Sequence, residues 1–190
     1  MNPFLRPLIP MAFIFTPSLI NQGNDLFRQH IIQQLQETRK CFGCNLSRVD
    51  FSKANLQGID LRSANFQEAK LKNANLRYAN LEWADLRGVD LQGADLTGAN
   101  LKNTLLVDAN LQQANLEGSN LQGTDFRNAN LSYANLIKAS KNSDIQSRNS
   151  VIICETVMPN GIITNRCDKT TKSDYFHSYL IRSTKYIHGE

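Results

Sequence analysis

The chain has 190 residues, 41% of them hydrophobic and 20% charged, and its 21 Lys and Arg against 17 Asp and Glu give a net charge of +4. That is one domain's worth of ordinary soluble composition, which excludes a disordered tail, and the charge is too balanced for a polyanion or a strongly basic nucleic-acid binder. The longest apolar stretch, Pro7 to Ile20, contains Pro10 and Pro17 and falls short of the ~20 residues that span a bilayer, so no transmembrane segment is expected.

Residues 1–23 read as a signal peptide or a disordered leader. Arg6, the apolar run Leu8 to Phe15 and the small-residue site Thr16-Pro17-Ser18 are the parts of a secretory signal. Pro10 and the lack of an A-x-A site keep an unstructured or partly docked N-terminus as the alternative. Residues 24–40 then place Leu26, Phe27, His30, Ile31 and Leu35 near one face at helical spacing. Asn24 or Asp25 is the N-cap, and Arg39 and Lys40 complement the C-terminal end. With its exit to residue 43, this helix is expected to cap the segment that begins at residue 44.

From Leu46 a large apolar residue recurs at every fifth position to Leu136, in nineteen unbroken pentapeptides with sixteen Leu and three Phe (Phe51, Phe66, Phe126). Two residues before each stands a small or β-branched residue, Ala in twelve of the nineteen. The residue between is Asn or Asp in seventeen, with Lys70 and Leu105 as the exceptions. A period of five fits neither a helix nor a flat strand. A pentapeptide that turns a quarter circle does fit, because four of them make a 20-residue coil with every Leu or Phe and every small residue pointing inward. Nineteen units give about 4.75 coils. Stacked at the ~4.8 Å spacing of a sheet they form a rod about 23 Å long, with open ends that need caps. A narrow interior has room for one large side chain per face, hence the small partner. Asn and Asp suit the outward turn position, and six of the ten glycines fall two residues after the central Leu, where the chain corners.

The runs Ala74-Asn75-Leu76, Ala84-Asp85-Leu86 and Ala94-Asp95-Leu96 closely resemble the pentapeptide repeat proteins, and the resemblance spans 44–136. It implies an all-β fold, a right-handed quadrilateral β-helix, with the handedness coming from the family. The expected organisation is a capping helix at 24–43, the β-helix at 44–139, and a linker, Cys-containing hairpin and tail at 140–190. The segment Leu35 to Ser47, with Cys41-Phe42-Gly43-Cys44 inside it, resembles the entry to exported cyanobacterial members. After a polar linker at 140–150, the β-rich runs Val151 to Val157 and Ile162 to Cys167 flank Met158-Pro159-Asn160-Gly161 and read as a hairpin. This too is similar to the exported subgroup. The tail, 168–190, is basic and aromatic without a period.

Cys41, Cys44, Cys154 and Cys167 have a superficial zinc-ligand spacing. The first pair opens the rod and the second follows its far end, so two local disulfides in an oxidising compartment are favoured over buried thiols and over a metal. No thioredoxin-like pattern surrounds the Cys-x-x-Cys.

The three histidines, His30, His177 and His188, lie outside the repeats, and there is neither a phosphate loop nor H-E-x-x-H. Asp174, His177 and Ser178 are close only in the tail. No catalytic, cofactor or metal residue and no small-molecule substrate are expected. The DNA mimicry of topoisomerase-binding members requires an acidic face, whereas residues 45–136 mix nine Lys and Arg with ten Asp and Glu. Residues 137–190 net only +3, too weak for nucleic acid. The candidate interaction residues are the departures from the repeat: Leu105 with Val107 on one face, expected to be covered by the hairpin, and Trp83, Tyr78 and Tyr133 at corners. The sequence therefore describes a non-enzymatic structural or protein-interaction module with an unidentified protein partner, end-to-end self-association being open. Its expected location is the periplasm, a thylakoid lumen or the exterior. The alternative is a cytoplasmic regulator that binds a nucleic-acid enzyme, or nucleic acid through the tail.

Overall fold

The structure, a computed structural model, describes residues 25–140 and 150–166. The proposed leader and the tail fall outside them. Helix α1, Asp25–Thr38, buries Ile31 and Leu35 against the first coil and leaves His30 exposed. Gln36 donates to the Asn55 carbonyl at 3.1 Å and ties the helix to that coil. The helix ends at Thr38 rather than at residue 40, so Arg39 and Lys40 follow its C-terminus instead of filling its last turn, with Arg39 N–H still on the Leu35 carbonyl at 2.9 Å. Arg39 turns the chain at φ 59°, and Lys40 already pairs with Asp60 in the first rung.

From Lys40 onward the chain is a four-sided coil. Parallel bridges join residues 20 apart, from Lys40 with Asp60 to Asn115 with Asn135. Each rung uses two bonds, as in Leu76 N–H to the Asp95 carbonyl at 2.8 Å and Asp95 N–H to the Ala74 carbonyl at 2.9 Å. Each corner is closed by a turn bond such as Ala74 N–H to the Leu71 carbonyl at 3.0 Å. All nineteen central Leu and Phe side chains are completely buried. Hydroxyls at the small position are tolerated because they find acceptors: Thr104 and Thr124 donate to the Leu81 and Leu101 carbonyls at 2.8 and 2.7 Å. The coil starts one unit before the sequence period does. Cys41 is buried in the register of a central Leu, with its N–H on the Asp60 carbonyl at 2.7 Å.

At the far end, β1 (Ile153–Val157) and β2 (Ile163–Arg166) pair antiparallel. The first arm is also a further part of the solenoid. Ile152 and Val157 bridge in parallel to Asn130 and Asn135, and Leu131 and Leu136 donate to the Ile152 and Val157 carbonyls at 2.8 Å. Val151 and Ile153, then Thr156 and Met158, occupy the small and central positions of two more units and are buried. Thr156 donates to the Leu131 carbonyl at 2.6 Å, repeating the Thr104 bond. Glu155, at φ 48°, is the corner between these units, which is why the β1–β2 register shifts between Cys154 and Thr156.

The second residue after every central Leu or Phe from 46 to 136 has positive φ, whether or not it is glycine. Gly98 (φ +65°) has an added constraint, since a Cβ there would approach Tyr78 Cδ1 to 2.6 Å. Gly98→Ala is expected to cost about 1–2 kcal/mol from its left-handed backbone. In thermal melts, Tyr78→Ala in the same chain should remove only the steric share of that loss.

Candidate functional site

On the face built over Leu86, Leu106 and Phe126, Asp85 and Arg87 form a two-pronged pair, with Arg87 Nε to Asp85 Oδ1 at 2.9 Å and Nη2 to Oδ2 at 2.6 Å. Gln67 adds a bond to Asp85 Oδ2 at 2.6 Å. Two coils on, Arg127 Nη2 pairs with Asp125 Oδ2 at 2.6 Å. Between these pairs, at the same two positions of the intervening coil, stand Leu105 and Val107. Leu105 bridges to Asp85 on one side and Asp125 on the other. Its side chain is 37% exposed and Val107 is half-buried. The expectation that the hairpin covers them is overturned: β1 stacks over Leu131 and Leu136, on other faces.

Trp83, 63% exposed, holds the corner that leads into this face, two residues before Asp85. The structure therefore sets Trp83 at the edge of the face that carries Leu105 and Val107 one coil on. Tyr78 stands one corner earlier and is engaged locally, with its ring against Gly98 and the Arg77 guanidinium 5.6 Å from its centroid. Arg77 also pairs with Asp95 at 3.0 Å. Tyr133 is exposed beside the hairpin's Cys154 carbonyl, to which its N–H donates. Sequence reasoning missed Phe42, which is 69% exposed with the Arg62 guanidinium 5.7 Å from its ring. Counting the period back one unit from Leu46 makes Cys41 the central residue and puts Phe42 at the outward position after it, one coil before Arg62, with Gly43 as the corner.

Elsewhere outward Asn side chains bond one another from coil to coil. Asn75 donates to Asn55, Asn100 to Asn80 and Asn135 to Asn115 at 3.0–3.1 Å. The open depression bordered by Gln67, Glu68, Arg87, Gly88 and Asp108 carries both signs of charge and no nucleophile. Among the described residues no group of three His, Cys, Asp or Glu could hold a metal. Cys41 and Cys44 are joined in a disulfide, and Cys154 is also disulfide-bonded. Cys167, the partner that sequence spacing suggests for Cys154, lies outside the described residues.

The hydrogen bond from Arg62 holds the Asp60 carboxyl below its ordinary 3.8. Burial pushes Asp85 upward, but the bonds from Arg87 and Gln67 outweigh it and the net direction is down. Asp95 behaves likewise, with Thr97 and Arg77 overcoming burial. A depressed carboxylate contributes stability above its unfolded pKa and loses it as pH falls through the folded one. The melting temperature is thus expected to be flat from about pH 5 to 8 and to fall below about pH 4, modestly, because such surface pairs are individually weak. Melts across pH check this, and an unchanged melting temperature at pH 2 would contradict it.

Residues 44–77, 64–103 and 104–140, together just over half of the chain, match the family model of pentapeptide repeats in eight copies. The chain is a pentapeptide repeat protein. The family's fold is the right-handed quadrilateral β-helix, and its members are in general repeat scaffolds without enzymatic chemistry. Among solved structures, a pentapeptide repeat protein of the Arabidopsis thaliana thylakoid lumen is 36% identical at a TM-score of 0.52, covering 54% of this chain and 71% of its own. A pentapeptide repeat protein from Nostoc PCC 7120 is 27% identical at a TM-score of 0.48, covering 65% and 92%. One from the cyanobacterium Cyanothece 51142 is 28% identical at 0.35, covering 69% and 96%. No curated protein matches this pentapeptide repeat protein. No helix among its described residues is long and apolar enough to cross a membrane.

Proposed function

We propose that this pentapeptide repeat protein is an exported, non-enzymatic module whose rigid coil presents Trp83, Leu105 and Val107 to a protein partner. The observation that carries the reading is that two neighbouring apolar side chains, Leu105 and Val107, stand between the Asp85–Arg87 and Asp125–Arg127 pairs in one row of the coil. A rigid solenoid suits such a role, because its side chains are displayed without loss of order on binding. Export is supported by the Cys41–Cys44 bridge and by the likeness to a thylakoid-lumen protein. The same reading includes removal of a leader within residues 1–23, a Cys154–Cys167 bridge, and a location in the periplasm, a thylakoid lumen or the exterior.

Two measurements test it. The intact mass of the protein from its native host is expected to lack the leader and to show no alkylatable thiol before reduction; a full-length mass with four free thiols overturns export. A photo-crosslinking residue at Val107 is expected to give a discrete protein adduct in host cells, with none from Gln112 on the neighbouring face. Equal labelling at both positions overturns the interaction face.

A further inference from the structure

We propose that the partner of this face is a second copy of the same chain, the two rods lying side by side and parallel about a two-fold axis that runs along their length. The inference rests on the interaction reading and names its occupant. It comes from the order of groups on the face. Each coil shows two outward side chains: Asn65 and Gln67, Asp85 and Arg87, Leu105 and Val107, Asp125 and Arg127. A two-fold axis between these two columns lays the first column of one rod on the second column of the other, coil for coil. Amide then meets amide at the Asn65 coil. Asp85 meets the partner's Arg87, and Arg87 meets the partner's Asp85. Leu105 meets the partner's Val107, and the Asp125–Arg127 coil repeats the charge exchange. The face is complementary to itself on every one of these coils, the condition for an isologous contact.

The opposite arrangement, with the rods antiparallel, sets Asp85 against the partner's Asp125 and Arg87 against the partner's Arg127. Like charges then meet on two coils, so the charge order also fixes the polarity of the pair. Docking desolvates no lone charge, because each carboxylate already holds its own guanidinium at 2.6 Å. The corners agree with this arrangement. The same axis carries Trp83, at the leading corner, over the partner's trailing corner on that coil, which is Gly88 and has no side chain to obstruct the indole. A single rod face is a small interface, and the dimer is accordingly weak and concentration-dependent.

Sedimentation equilibrium of the full chain, from low to high micromolar concentration, is expected to show reversible monomer–dimer behaviour. Leu105→Asp with Val107→Asp should leave a monomer whose thermal melt is close to that of the parent. The decisive variant is the double exchange Asp85→Arg with Arg87→Asp. It keeps its own ion pair and remains complementary to itself, but presents like charges to the parent chain. Each protein should therefore self-associate while fluorescence transfer between labelled parent and labelled variant falls at least several-fold below transfer within either one. A parent that stays monomeric throughout overturns self-pairing, and the Val107 crosslink separately decides whether the face binds any protein. A dimer that survives the double Asp substitution, or parent and variant mixing freely, overturns the assignment of the contact to this face.

Discussion

Leu91→Ala is expected to lower the unfolding free energy by about 2–5 kcal/mol, towards the upper end of that range. The side chain is completely buried in the column of Phe51, Leu71, Leu111 and Leu131. The cost of such a deletion depends on how far the surroundings collapse into the space left behind. Here collapse is resisted by the backbone: Leu91 N–H bonds the Asn110 carbonyl at 2.8 Å and Asp90 N–H bonds the Ala69 carbonyl at 3.1 Å, which fixes the spacing of the coils above and below. In a stacked array each unit is stabilised chiefly by its neighbours, so a weak layer in the middle also uncouples the two halves. Urea denaturation should show the loss together with a broader transition, and a change below about 1 kcal/mol would mean the column is not packed as described.

The second large effect is expected at the C-terminal end. Ile153→Ala with Met158→Ala removes two buried central side chains from the last layer, each deletion being of a kind that costs about 2–5 kcal/mol. The penalty should appear as local opening, because this layer has a coil on one side and only β2 on the other. Hydrogen exchange is the measurement of choice. The amides of Leu131, Tyr133 and Leu136, which donate to the Ile152, Cys154 and Val157 carbonyls, should lose protection, while Leu91 and Leu96 amides keep theirs. Uniform loss along the rod would show that the end layer is inseparable from the whole.

The register from Leu46 to Leu136 was legible in the sequence because burial in a narrow coil makes one strict demand, a large residue and a small one at fixed spacing. The outer units were not, for two physical reasons. Cys41 fills a central position with a side chain that reads as a disulfide or metal ligand, which hides its place in the period. The units from Val151 resume out of phase, with Val, Ile, Thr and Met inside and with Ile152 and Val157 where the repeat has Asn or Asp. The interior accepts those residues because it selects for volume. Repetition identifies the core, and Val151, Ile153, Thr156 and Met158 occur only once in that arrangement. On the surface, the sequence isolated Leu105 and Val107 as departures. It could not show that Asp85–Arg87 and Asp125–Arg127 frame them, since stacking is what brings residues 20 apart into one row.

That stacking also governs how the chain finds its fold. Rung bonds throughout the repeats join residues one coil apart, as in Leu46 to Asn65 and Asn65 to Cys44, and Leu131 to Ile152 spans scarcely more sequence. Folding rates fall with the sequence separation of the contacts that must form. In this protein that separation is set by the circumference of one coil and does not grow with the number of coils, so a nucleus anywhere along the rod can propagate in both directions by closing loops of constant size. Inserting or deleting whole 20-residue coils should therefore change stability in steps while leaving the folding rate nearly where it was.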